Sequence, residues 1–352
     1  MTTASPTQQT NFDFLAEYDP LLVQITATAE RLFSSDPNTT LMKLRQFGEA
    51  LAQNIAARLN ISREDNPNQQ ELLYRLDREL QFDPAIRQLF HTLRIEGNKA
   101  THQFQTRHRE AMDALKVARA LAIWFHQTFG DAGSQFNPGP FVPPHDPSEQ
   151  LNKSQSAIEQ LKQTLLAANQ KLESSEQLQN LLKQQKEEYE QLAHEMDIEA
   201  REQQQLLEMS QQDLQTLQQN YEAKLTALQA QLAQQTQQAI TAQRKEFGRK
   251  SSYARKHIIT EELTRILIDQ QLNEWGWLAD TQEITWKKGS RPEKGVNKAI
   301  AEWPTFADDE HGRADYVLFC GLTPVATVEA KRKNENVAGK IPGRALQQRF
   351  SV

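Results

Sequence analysis

Residues 314–330 read ADYVLFCGLTPVATVEA, and Lys331 follows. Two runs rich in aliphatic and aromatic residues, Ala314–Cys320 and Pro324–Ala330, flank Gly321–Leu322–Thr323, the pattern of a β-hairpin. A turn centred on Leu322 sets position 315 opposite position 329. Directly opposed residues project to the same face, with Cβ atoms about 4.5–5.5 Å apart. Asp315 and Glu329 are therefore expected side by side. Alternation puts Lys331 on the face of Glu329, and Val328 and Ala330 on the other. A bulge in the turn would shift this register.

Opposed carboxylates repel unless a cation lies near them. A hard ion such as Mg²⁺ takes carboxylate, carbonyl and water oxygens. The pattern thus predicts a metal site made by Asp315, Glu329 and the carbonyl of Ala330. Such an ion polarises a phosphodiester oxygen and lowers the pKa of an attacking water. Lys331 would position that water and stabilise charge developing on the phosphate. A further carboxylate on a neighbouring helix would help; Glu261 in ITEELTRILID is the first choice and Glu262 the second. By itself the spacing D-x13-E-x-K also fits two solvated strand-end acids with Lys331 as an ordinary partner.

Upstream, Ile258–Trp275 has helical spacing and Gly276 as its stop. A polar loop (KKGSRPEKG) and a short apolar piece (NKAIAEWP) follow it. This segment, 248–352, reads as an α/β domain. Residues 148–247 contain no proline or glycine, and Gly248 closes the helix. Leu151, Ile158, Leu165 and Leu172 stand seven apart, as do Leu182, Tyr189 and Met196, and Leu207, Leu214, Tyr221 and Leu228. That is a coiled coil with register breaks, roughly 150 Å long if continuous. It is expected to self-associate or fold back. Residues 137–147, NPGPFVPPHDP, form a proline-rich linker. Residues 1–136 read as an all-α domain, with Leu41, Leu44, Phe47, Leu51 and Ile55 on one helix face and Ala111–Phe129 forming another helix. The fold class is multidomain and mainly α: a helical bundle, a long coiled coil and a C-terminal α/β domain.

Composition narrows the function. Residues 249–352 carry 17 basic and 14 acidic groups, whereas 1–150 and 151–248 have net charges of −4 and −5. Only the C-terminal segment leans towards a phosphate partner. One cysteine, Cys320, excludes an internal disulfide and a cysteine-based zinc site, and it reads as a small buried residue at a strand end. Trp275, Trp277, Trp286 and Trp303 read as core. No apolar run is long enough to span a membrane and no signal peptide opens the chain, so a cytoplasmic protein is expected.

TEELTRILIDQQLNEWGW, NKAIAEWPTFADDEHGRADYVLFCG and PVATVEAKRKN together resemble the nuclease domain of the restriction (R) subunit of type I restriction-modification enzymes, a PD-(D/E)xK fold. On that resemblance Asp315, Glu329 and Lys331 match the metal and catalytic positions, and Glu261 matches the family's helical glutamate. The resemblance implies Mg²⁺-dependent cleavage of double-stranded DNA after ATP-driven translocation, in complex with methylation and specificity subunits. The chain contains no G-x-x-x-x-G-K-[ST] phosphate loop, hence no ATP site. Gln347 and Gln348 stand near the family's glutamine motif, but its tyrosine is missing, so the nuclease domain reads as incomplete and the chain as an N-terminal portion. LRIEGNKATHQF resembles an all-α HEPN-type domain, with Asn98 and His102 four apart. Gly97 replaces the arginine of the ribonuclease pattern R-N-x-x-x-H, and no RNase chemistry is assigned. The alternatives are a non-catalytic coiled-coil interaction protein with an inert nuclease-like domain and, disfavoured by Gly97, an RNA-directed toxin.

Overall fold

The structure, a computed structural model, describes residues 10–62, 68–102, 108–130, 136–144, 215–307 and 310–330. It is mostly helical, with a small mixed four-stranded sheet near the C-terminus. Three helices start on an acid–proline step. Asp19, Asp36 and Asp83 precede Pro20, Pro37 and Pro84, and each aspartate side chain accepts a backbone N–H two or three residues on. Proline fits the first helical position, where its missing N–H is not needed, and the carboxylate caps a free donor. These helices are α1 (Pro20–Leu32), α2 (Pro37–Arg58) and α4 (Pro84–His102); α3 (Gln69–Leu80) starts on Asn68, and α5 (His108–Phe129) completes the set. Small residues Ala111, Ala114, Ala118 and Ala122 line the buried side of α5 and let neighbouring helices approach.

Gly97 has a packing reason. A Cβ there would lie 2.4 Å from the Cβ of Arg45 on α2 and 3.0 Å from the carbonyl of Leu41. No side chain fits, least of all an arginine. Asn98 lies beside it on α4; the side chain of His102 is outside the described residues.

Of the expected coiled coil, residues 148–214 lie outside the described residues. The rest is not one helix. Helix α6 (residues 215–232) ends in a turn, and Thr236 caps α7 (Gln237–Ile258) by accepting from Ala239 N–H. A threonine that can serve as an N-cap breaks the helix here without glycine or proline. Both pieces fold back. Tyr221 and Leu225 are buried in the bundle core with Leu217 and Leu228 at its edge, and the Tyr221 hydroxyl donates to the Ala50 carbonyl at 2.7 Å. Gly248 does not close the helix, because α7 runs on past it and buries Phe247, Ala254 and Ile258 in the same core. The described part of the proline-rich linker is also held down: Asn11 and Val142 exchange hydrogen bonds of 2.7 and 2.9 Å, and Arg119 donates to the carbonyls of Pro138 and Gly139.

Helix α8 is Glu261–Glu274, one turn shorter at its start than the spacing predicts. Ile259 is extended and Thr260 takes the cap. Gly276 (φ +84°) ends the turn that follows. The sheet comprises β1 (Leu278–Ala279), β2 (Asn297–Ala307), β3 (Glu310–Cys320) and β4 (Thr323–Val328) in the order β1-β2-β3-β4, with β1 parallel to β2 and the other pairs antiparallel. The piece NKAIAEWP is thus the start of a long central strand. Ala299 and Ala301 face α8 while Ile300 and Trp303 pack on the opposite side. A strand buried on both faces shows no alternation, so its short apolar run hides it. Two further expectations change. Cys320 is exposed at the end of β3, and Trp275 is 56% exposed, whereas Trp286 and Trp303 pack edge to face.

Candidate functional site

The hairpin sets the site. A two-residue turn at Gly321–Leu322 pairs Cys320 with Thr323 and Phe319 with Pro324. After a bulge between Leu318 and Phe319, the pairs become Leu318–Ala326, Val317–Thr327 and Tyr316–Val328. The tight turn alone would slip the register by one residue; the bulge restores it. The ladder ends at Tyr316–Val328, one pair short of the expected 315–329 opposition but in the same register. Asp315 does more than face its neighbour strand. Its Oδ2 accepts the backbone N–H of Ala330 at 2.8 Å, tying the end of β4 to β3.

On the other side of Asp315 the β2–β3 pairing is interrupted. Ala301 pairs with Tyr316 and Trp303 with Ala314, but Glu302 between them has a left-handed backbone (φ 53°). A non-glycine residue is strained there. Lys287 and Arg313 hold its carboxylate at 3.1 and 3.8 Å.

Helix α8 brings in the next groups. Leu263 and Leu267 are buried in the helical-bundle core while Ile268 and Leu272 pack on the sheet, so this helix belongs to both cores. The two contacts fix its rotation. Glu262 is turned to α5, where Lys116 reaches it at 2.6 Å. Glu261 is on the sheet side. Arg265, one turn on, donates from the same Nη2 to Glu261 Oε1 at 3.2 Å and Asp315 Oδ1 at 3.1 Å. Arg265 is the residue that spacing arguments missed, although it lies four residues after Glu261, the distance at which an acid and a base on one helix meet.

Beneath these groups, Asp269 Oδ2 accepts the N–H and hydroxyl of Thr281 at 2.7 and 2.6 Å, and the Tyr316 hydroxyl donates to Thr281 Oγ1 at 2.5 Å. Burial, followed by the charge of Asp269, pushes the Tyr316 phenol above its ordinary range, so it stays a donor. Burial also raises the Asp269 carboxyl, against the Thr281 hydrogen bonds. This network pins α8 to β3 directly behind Asp315.

Of the expected site residues, Asp315, Glu261 and the backbone of Ala330 are brought together. Glu329 is exposed just beyond the end of β4, and Lys331, Gln347 and Gln348 lie outside the described residues. Among the described residues no three acidic, histidine or cysteine side chains converge as a metal cluster. Among them too, no helix is long and apolar enough to cross a membrane.

The seam between bundle and sheet is charged. Arg109 pairs with Asp280, His91 with Glu274 at 3.1 Å, and Asp113 lies between Arg109 and Lys116 at 3.9 and 4.0 Å. Burial pushes the Asp113 carboxyl up to about 6; Lys116 and Arg109 pull it back, and Asp269 and Glu262 add repulsion. A carboxyl raised on folding binds more protons in the native state than in the unfolded chain between its ordinary 3.8 and about 6, so stability falls as pH rises through that window. Asp113→Asn is expected to flatten this slope and to stabilise the chain at pH 7 by up to about 3 kcal/mol. Urea unfolding of both proteins from pH 4 to 7.5 checks it; parallel curves would refute it.

Comparison with known proteins bears on this site. The family described as "Type I restriction enzyme EcoKI endonuclease subunit second domain" matches residues 278–351, a span that opens at β1 and includes Asp315, Glu329, Ala330 and Lys331. No solved structure matches. The type I restriction enzyme EcoKI endonuclease subunit of Escherichia coli (strain K12) is 37% identical over 350 residues, which is 95% of this chain and 27% of that relative. Over nearly its whole length, therefore, the chain is similar to a type I restriction enzyme endonuclease subunit, of which it spans about a quarter.

Proposed function

We propose that this chain carries the DNA-cleaving site of a type I restriction endonuclease subunit. The observation that carries the reading is Asp315, held midway along β3 between the Ala330 amide and Arg265, inside the span similar to that subunit's second domain. The donor chemistry fits Mg²⁺: Asp315, Glu329 and the Ala330 carbonyl offer hard oxygens. The two acids nearest the site already share one guanidinium, so the place favours positive charge. Bound there, Mg²⁺ would supply Lewis acidity to a phosphodiester oxygen and lower the pKa of the attacking water.

The chain's own residues have distinct tasks. Asp315, Glu329 and the Ala330 carbonyl hold the ion, Glu261 adds a carboxylate from α8, and Lys331 orients the attacking water and offsets charge on the phosphate. Double-stranded DNA is the substrate, the methylation and specificity subunits are the partners, and sequence choice lies with those partners. Self-association through residues 148–214 is part of the same proposal.

The test is to incubate the purified chain with unmethylated supercoiled plasmid, with and without Mg²⁺ and ATP. Slow nicking that needs Mg²⁺, ignores ATP and has no site preference is expected, because no phosphate loop is present in the chain. No Mg²⁺-dependent nicking, or ATP-stimulated cleavage at particular sites by this chain alone, would overturn the proposal.

A further inference from the structure

We infer that Arg265 is a built-in competitor for the divalent ion, a positioning residue that holds Glu261 and Asp315 together until a metal takes its place. The inference rests on the metal reading above and deepens it.

Asp315 has two carboxylate oxygens. Oδ2 is committed to the Ala330 amide at 2.8 Å; Oδ1 is held by Arg265 Nη2 at 3.1 Å. The oxygen left for a metal is therefore the one the guanidinium already occupies. The same Nη2 also contacts Glu261 Oε1 at 3.2 Å, so a single nitrogen joins the two acids. Like charges drawn this close repel, and one guanidinium offsets only half of the pair's charge. A divalent ion would offset all of it.

The surroundings allow an exchange. The backbone of Arg265 is fixed, because Leu267 and Ile268 on either side of the helix are buried in two different cores. Its side chain is not sealed in, being 19% exposed, and its other partner, Glu261, is 69% exposed. Released from Asp315, the guanidinium can keep its pairing with Glu261, one helical turn away, on the solvent side. The acids thus have a counter-charge both with and without metal.

The experiment uses the full 352-residue chain and Mn²⁺ as the probe, with binding followed by calorimetry and by the electron paramagnetic resonance of free Mn²⁺. Arg265→Gln removes the competing charge and is expected to tighten Mn²⁺ binding about tenfold or more, the loss of one charge-assisted hydrogen bond. In EDTA this variant should melt below wild type, and Mn²⁺ should raise its Tm by more than it raises the wild-type value. Arg265→Lys, which keeps the charge, should bind close to wild type. Lys116→Gln removes an equal charge on the opposite side of α8 and should leave Mn²⁺ affinity little changed, which separates direct competition from a general change in net charge.

Unchanged or weaker Mn²⁺ binding in Arg265→Gln, with wild type binding normally and helicity retained, would overturn the inference and leave the metal reading standing. No Mn²⁺ binding by wild type and by Arg265→Gln alike would overturn both.

Discussion

Asp315→Ala is expected to abolish both Mn²⁺ binding and Mg²⁺-dependent nicking, each falling ~100-fold or more. Loss of an outer partner of a metal ligand already costs about 10–100-fold, and Asp315 would be a direct ligand. The alanine variant also frees the Ala330 amide and leaves Arg265 facing Glu261 alone. Asp315→Asn separates these effects. Its amide oxygen can still accept from Ala330, so the end of β4 stays in place while the negative charge is gone. Both variants should therefore lose the metal, and the asparagine variant should stay closer to wild type in thermal stability. Calorimetry, plasmid nicking and thermal melting on the three proteins decide the matter. Metal binding retained by Asp315→Asn at wild-type strength would remove Asp315 from the site.

Trp124→Ala should destabilise the whole molecule by roughly 3–5 kcal/mol, the usual loss for a fully buried large aromatic. Trp124 is completely buried on α5. Its ring meets Phe82 at 6.0 Å, Phe90 at 6.2 Å and Phe247 at 6.1 Å, each edge to face, and its Nε1 donates to Ser251 Oγ at 3.0 Å. Two of these partners, Phe247 and Ser251, are on α7, which leads directly into α8. The mutation is expected to loosen the helix carrying Glu261 and Arg265 as well as the bundle. Guanidinium unfolding with far-ultraviolet circular dichroism measures the loss. Hydrogen exchange over residues 237–274 should rise together with exchange in α5. Faster exchange in α5 alone would show that bundle and site are not mechanically joined. The same contacts argue against testing the α/β part alone: a fragment starting near Gly248 would cut α7 and strip the bundle from Leu263 and Leu267.

The elements that carry the candidate residues were legible in the linear chain because their geometry is local. The hairpin from Ala314 to Ala330 follows from two short runs around a glycine turn. Counting expects positions 315 and 329 to be opposed; the structure reaches the same register as far as its last pair, Tyr316–Val328, through a tight turn and a compensating bulge rather than a turn centred on Leu322. Helix α8 and its stop at Gly276 are equally local, as are the helices of the N-terminal bundle.

What stayed hidden depends on partners distant in sequence. Periodicity marks a buried face but does not say what buries it. The heptad leucines around Tyr221 read as a coiled coil, and the structure spends that face on the bundle instead. Strand β2 hides because it is covered on both sides and shows no alternation. Gly97 reads as a lost arginine until α2 is seen to lie against it at a distance no side chain allows. Glu261 and Glu262 are adjacent acids with equal claims in the sequence; the docking of α8 into two cores sends one to Lys116 and the other to Arg265 and Asp315. The sequence by itself determined the hairpin, the helix before it and the candidate residues they carry. Tertiary packing decided which of them meet, because the rotation of a helix is set by what it packs against and by nothing within the helix alone.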